Sequence, residues 1–116
     1  MIFMKYFLFI LALPVALQKQ CARSGNSIPI CVQKKIDSIK AEPKWNPAAE
    51  VNEYVYREQH VFLFTANCCD QFYMLYDGSC QYICAPSGGF TGKGDGKCAD
   101  FAENAKHVKQ VWKDDR

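Results

Sequence analysis

Seven cysteines are the residues with most chemistry in this chain of 116 residues. Five of the seven fall in the stretch CCDQFYMLYDGSCQYICAPSGGFTGKGDGKC, from Cys68 to Cys98. Thiols serve small proteins as crosslinks, as redox pairs or as metal ligands. A redox pair is ordinarily spaced C-x-x-C, and here the nearest spacings are the adjacent Cys68 and Cys69 and the wider Cys80-x-x-x-Cys84. A zinc site needs two such pairs or a cluster of cysteine and histidine, but His60 and His107 stand alone in the sequence. The pattern therefore predicts structural disulfides among Cys31, Cys68, Cys69, Cys80, Cys84 and Cys98, with the connectivity left open. A bond between Cys68 and Cys69 would close an eight-membered ring. The expectation is instead that each finds a separate partner, one on each face of a strand. Crosslinks of this kind stabilise chiefly by restricting the unfolded chain.

Six of the seven glycines lie in the same stretch. Most sit in one loop between Cys84 and Cys98, made of Ser87, Gly88, Gly89, Phe90, Thr91, Gly92, Lys93, Gly94, Asp95, Gly96 and Lys97. A phosphate-cradling loop would read G-x-x-x-x-G-K-[ST] at the start of a helix, which this loop does not. Asp95 and Asp100 suggest calcium, but the alternating acids of a calcium loop are missing. The reading is a closed, exposed turn segment that serves as the candidate binding loop, with Lys93 or Lys97 as the side chain offered if the loop enters a protease cleft. No grouping of serine, histidine and acid is suggested, and no acidic pair stands in an apolar setting. The expectation is a non-enzymatic module with no cofactor and no metal, and the alternative is a redox protein using Cys68 and Cys69.

The elements that must hold these residues are legible from periodicity. Pro29 suits a first helical position, and Ile28, Val32, Ile36 and Ile39 recur at helical spacing, so the chain predicts an amphipathic helix over 29–41. Trp45, between Pro43 and Pro47, reads as a lid on the core. Val51 to Arg57 and His60 to Ala66 read as two strands of a hairpin, the second apolar on both faces. Without Gly or Asn at Glu58 and Gln59, the loop is expected to be wider than two residues. Tyr73 to Tyr76 and Cys80 to Cys84 form a second hairpin about Asp77-Gly78, and loop follows from Pro86. Asp100 with Glu103 reads as a capping box opening a short helix to about His107; in the tail VKQVWKDDR, Val108, Val111 and Trp112 fit a continued helix face, while the β-branched and aromatic content fits a last edge strand, which is the reading preferred.

The first residues have the layout of a secretory leader: Lys5, an apolar run from Tyr6 to Leu17, then a polar flank. That run is shorter than the roughly 20 apolar residues a membrane span needs. Residues 1–20 read as a signal peptide, 21–28 as a short polar tether, and 29–116 as one cysteine-rich domain. Loss of residues 1–20 removes Lys5 and Lys19 and lowers 14 basic residues to 12, equal to the 12 acidic ones. A neutral domain argues against a nucleic-acid partner and leaves membrane attachment to Cys21, the candidate lipid-attachment residue. The expected location is outside the cytoplasm, in a periplasm, at the cell surface or secreted. The expected partner is an envelope protein.

PICVQKKIDSIK, the CCDQ at Cys68 to Gln71, LYDGSCQYICAPSGGFTGKGDGKCADF from Leu75 to Phe101, and the terminal VWKDDR resemble a family of small exported domains of unknown function. The family occurs mainly in Bacteroidetes-type bacteria, often as lipoproteins. The resemblance implies the six-cysteine framework and an envelope location, and it brings no activity or catalytic residue. The fold expected is α+β, a small antiparallel sheet with one helix packed on a face and disulfides tying the layers.

Overall fold

A computed structural model describes residues 27–116. The leader, most of the tether and Cys21 lie outside the described residues. The architecture is α+β, with an antiparallel sheet of five strands in the order β4-β3-β2-β1-β5. The elements are α1 (Ile30–Lys40), β1 (Glu50–Tyr56), β2 (Gln59–Phe64), β3 (Phe72–Asp77), β4 (Tyr82–Gly88), α2 (Phe101–Asn104) and β5 (Lys106–Lys113). Neighbours in the sheet are neighbours in the chain, except that β5 returns to pair with β1.

Helix α1 forms where the apolar spacing predicts it, with Val32, Ile36 and Ile39 turned inward. They meet Val51, Phe62 and Phe64 on one face of the sheet. The opposite face carries a second cluster of Tyr56, Val61, Leu75, Cys84, Cys98 and Phe101. Strand β2 supplies both clusters, which explains its nearly continuous apolar run. Burying a side chain such as Val51 or Leu75, each fully inaccessible, is worth about 1.5–3 kcal/mol.

Two disulfides brace this arrangement. Cys31 joins Cys80, tying the start of α1 to the β3–β4 turn, and Cys84 joins Cys98, closing the glycine loop against β4. The third pairing departs from the expectation, because Cys68 and Cys69 are bonded to each other. With Cys31–Cys80 and Cys84–Cys98 paired, the two cysteines left among the described residues lie on the β2–β3 connection and not within a strand, so strand alternation does not direct them to opposite faces.

Three local corrections follow from how the sheet constrains its connections. The β1–β2 loop is only Arg57 and Glu58, with φ of 50° and 64°. Both residues are left-handed, as a two-residue turn of the primed type demands. The pairing of Tyr56 with Gln59 leaves no room for a wider loop. Asp100 precedes α2, but its side chain makes no capping bond, and α2 ends at Asn104. The carboxylate instead accepts hydrogen bonds from Tyr56 Oη and Asn104 Nδ2. Finally, β4 continues through Pro86 to Gly88, beyond the predicted strand end. Proline is tolerated there because β4 is an edge strand and needs no outward donor. The last strand forms as expected, at the other edge.

The predicted turn at Asp77-Gly78 is present. Asp77 Oδ1 accepts from the backbone N–H of Ser79 at 2.8 Å and of Gln81 at 3.0 Å. At the far end, Arg116 donates to both oxygens of buried Asp114 and to the carbonyls of Lys40 and Glu42. It thereby fastens the end of α1 to the segment after β5.

Candidate binding surface

The glycine loop is folded back on the sheet and does not hang from it. Ser87 and Gly88 complete β4 opposite Tyr73 and Phe72. Gly94 N–H donates to the Gly88 carbonyl at 3.0 Å and Asp95 N–H to the Ala85 carbonyl at 2.9 Å. These bonds cover the C-terminal part of the outer edge of β4. The close approach demands glycine at position 94: φ is +72°, and an added Cβ would lie 1.9 Å from the Ala85 carbonyl oxygen. Asp95 anchors the loop a second time, accepting from Tyr82 Oη at 2.7 Å and Lys97 N–H at 3.0 Å. The Tyr82 bond holds the Asp95 carboxyl below its ordinary range. Partial burial, together with that carboxylate, pushes the Tyr82 hydroxyl up to about 12. Phe90, at the loop tip, is 91% exposed.

The two aspartates proposed for calcium are spent on separate bonds. Asp100 holds Tyr56 and lies 3.6 Å from the Arg57 guanidinium. The Tyr56 hydrogen bond lowers the Asp100 carboxyl, while burial first and then Asp100 raise the Tyr56 hydroxyl. Among the described residues no three His, Cys, Asp or Glu side chains group to hold a metal ion.

Two depressions flank the β2–β3 connection. One, of about 390 Å³, lies between Cys68 and Cys69 on one side and Ser87, Gly88, Gly89 and Gly92 on the other. It brings the adjacent cysteines and the candidate loop together, two features the sequence treats separately. The connection is bonded to the loop directly, since Gly89 N–H donates to the Gln71 carbonyl at 3.0 Å.

The second depression is a groove of about 310 Å³ between α1 and β3, and sequence reasoning missed it. It is lined by Phe64, Phe72, Met74 and Tyr76 of the sheet, by Lys35 and Ile39 of α1, and by Trp45. The signal was available in part: Phe72, Met74 and Tyr76 alternate in β3 and so share a face. What the sequence does not display is that α1 stops short of covering them. Phe72 remains 43% exposed and Met74 38% exposed. Trp45 is half-buried, with its Nε1–H donating to Glu42 at 2.8 Å, so it is both a lid on the core and a groove wall. Lys35 Nζ stands 4.1 Å from the centre of the Tyr76 ring, placing a cation beside an otherwise apolar floor.

Residues 37–114 match the family model DUF6970, described as a domain of unknown function. No curated protein and no solved structure matches the chain. The three disulfides are those of a non-cytoplasmic, oxidising environment. Among the described residues no helix is long and apolar enough to cross a membrane.

Proposed function

Because the chain belongs to the DUF6970 family, a domain of unknown function, we propose a role from its surface: an exported, non-enzymatic binding module that takes an apolar segment of an envelope partner. The observation that carries this reading is the groove between α1 and β3, where Trp45, Phe72, Met74 and Tyr76 line an open apolar trough beside one cation. A concave apolar site with a few placed polar groups is what ligand recognition requires, and contiguous exposed apolar surface on a small domain commonly marks an interaction site. The glycine loop meets the groove at Phe72, whose ring lies against Gly89.

The loop supports a role as a rigid rim better than one as a protease inhibitor. Gly88, Gly89, Gly92, Gly94 and Gly96 all have positive φ. No run longer than two residues lies between them, so Lys93, between Gly92 and Gly94, is not offered in a substrate-like strand, and the backbone N–H of Lys97 is turned to Asp95 Oδ1. Export through a leader over residues 1–20, with Cys21 as a lipid tether, belongs to the same proposal. The intact mass of the protein taken from membrane and soluble fractions tests it, and an unprocessed N-terminus defeats it.

The binding reading is tested with a photo-crosslinking residue placed at Met74 and, separately, at Val108 on β5 of the protein produced in its native cells. A discrete adduct from position 74 alone is expected. Equal labelling from both positions, or none from position 74, overturns the reading.

A further inference from the structure

We propose that the Cys68–Cys69 bond is a site of thiol–disulfide exchange, opened by a dithiol reductant and coupled to the adjoining depression. This goes beyond the binding reading and does not depend on it.

The three disulfides differ in what they do for the fold. Cys31–Cys80 spans 49 positions and Cys84–Cys98 spans 14, so each closes a loop that the unfolded chain would otherwise explore. Cys68–Cys69 has a sequence separation of 1 and encloses no loop. It therefore adds no loop-closure stabilisation, and opening it leaves every long-range crosslink in place. The three also differ in access. Cys84 and Cys98 are 1% and 2% exposed, and Cys31 and Cys80 are half-buried against the core cluster at the start of α1. Cys68 and Cys69 are both exposed. Exchange proceeds by attack of an external thiolate along the S–S axis, so access decides which bond reacts.

The position gives the reaction a consequence. Cys68 and Cys69 form one wall of the depression that faces Gly88, Gly89 and Gly92. The Cys68 carbonyl accepts from Gln71 N–H at 3.1 Å, and the Gln71 carbonyl accepts from Gly89 N–H at 3.0 Å. Gln71 lines this depression and the apolar groove alike. Relaxing the ring at residues 68 and 69 therefore acts on the glycine loop through two consecutive hydrogen bonds.

The step balances simply. One thiolate of the dithiol attacks a sulfur of the pair, the Cys68–Cys69 bond breaks, and a mixed disulfide forms. The second thiol of the reductant then displaces the protein sulfur. Two electrons and two protons pass to the protein, which leaves with two thiols, and the reductant leaves as its disulfide.

The test treats the folded protein with dithiothreitol for graded times, quenches with iodoacetamide, and reads the labelled cysteines by peptide mass. Two labels, on Cys68 and Cys69, are expected to appear at least about ten-fold faster than any label on the other four. The same partly reduced sample, labelled with ¹⁵N, is expected to show shifted amide signals for Gly88 and Gly89 while the signals of α1 stay in place. A Cys68→Ser, Cys69→Ser variant is expected to melt within about 2 °C of the wild type and to take up no early label. Reaction of Cys31, Cys80, Cys84 or Cys98 first, simultaneous reaction of all six, or unmoved Gly88 and Gly89 signals would each overturn the proposal.

Discussion

At the scale of single residues, the fold spends its most particular geometry on Gly94 and on the Tyr56–Asp100 pair. Gly92 and Gly94 share nearly the same backbone conformation, with φ of +76° and +72°, yet only Gly94 is pressed against another backbone. Gly92→Ala should therefore cost about 1 kcal/mol, the left-handed penalty alone. Gly94→Ala should cost about 2–4 kcal/mol, because overlap with Ala85 is added and the loop must lift. Thermal melts of the two variants check this, and equal losses would contradict the close approach. Tyr56 is 1% exposed, and its hydroxyl reaches Asp100. Tyr56→Phe removes that bond without opening a cavity and should cost about 1–2 kcal/mol in a urea titration. The sequence shows Asp100 as a helix cap because Asp followed three residues later by Glu is the usual sign. It does not show that a tyrosine 44 positions away competes for the same carboxylate and wins.

At the scale of elements, turns and termini decide how well the sheet is held. The β1–β2 turn places Arg57 and Glu58 in left-handed conformations that neither prefers. Arg57 is offset in part by its position 4.7 Å over the Tyr56 ring and by its pairing with Asp100. Glu58 has no such compensation among its described contacts, so Glu58→Gly should stabilise by about 1 kcal/mol and raise the melting temperature by about 4–8 °C. A lowered melting temperature would show that the turn is not of this form. The clasp at Arg116 predicts a pH dependence. Its hydrogen bonds hold the Asp114 carboxyl at about 2, below the ordinary 3.8. A depressed carboxyl contributes stability above its unfolded value and loses it as pH falls through its folded one. Wild type should thus exceed Asp114→Asn in urea midpoint at neutral pH, and the two should converge between pH 3.8 and about 2. A gap that persists unchanged below that window would dissociate the clasp from Asp114. Helix α1 and the doubly buried β2 were legible, because apolar spacing reports burial directly; the mostly exposed last strand was signalled only by its β-branched and aromatic content, against a spacing that also fits a helix. The length of β4 was not, since Pro86 looks like an ending unless one knows that the strand lies at an edge.

At the scale of the whole molecule, two long-range disulfides divide the labour of stabilisation by the lengths they close. The chain-entropy argument gives about 4 kcal/mol for Cys31–Cys80 and about 3 kcal/mol for Cys84–Cys98, from separations of 49 and 14. Replacing the first pair by serine should lower the unfolding free energy by about 1 kcal/mol more than replacing the second. The reverse order would place the dominant effect in native packing instead. The six paired cysteines and the α+β class could be read from composition, compartment and periodicity, but the pairing and the groove could not. The groove depends on where α1 ends relative to β3 in space, and the pairing on which turns and loops the sheet brings together, and no local spacing encodes either.

The return of β5 to β1 has a consequence for the chain as it is made. Glu50 pairs with Lys113, so the register of β1 on that side is completed by residues synthesised some sixty positions later. A nascent chain already carrying β1 to β4 still presents an unpaired backbone edge at β1, with α1 not yet clasped by Arg116. Folding therefore closes from the last strand, and a chain held threaded through a ribosome or a translocation pore would remain open to binding by chaperones until β5 has cleared it.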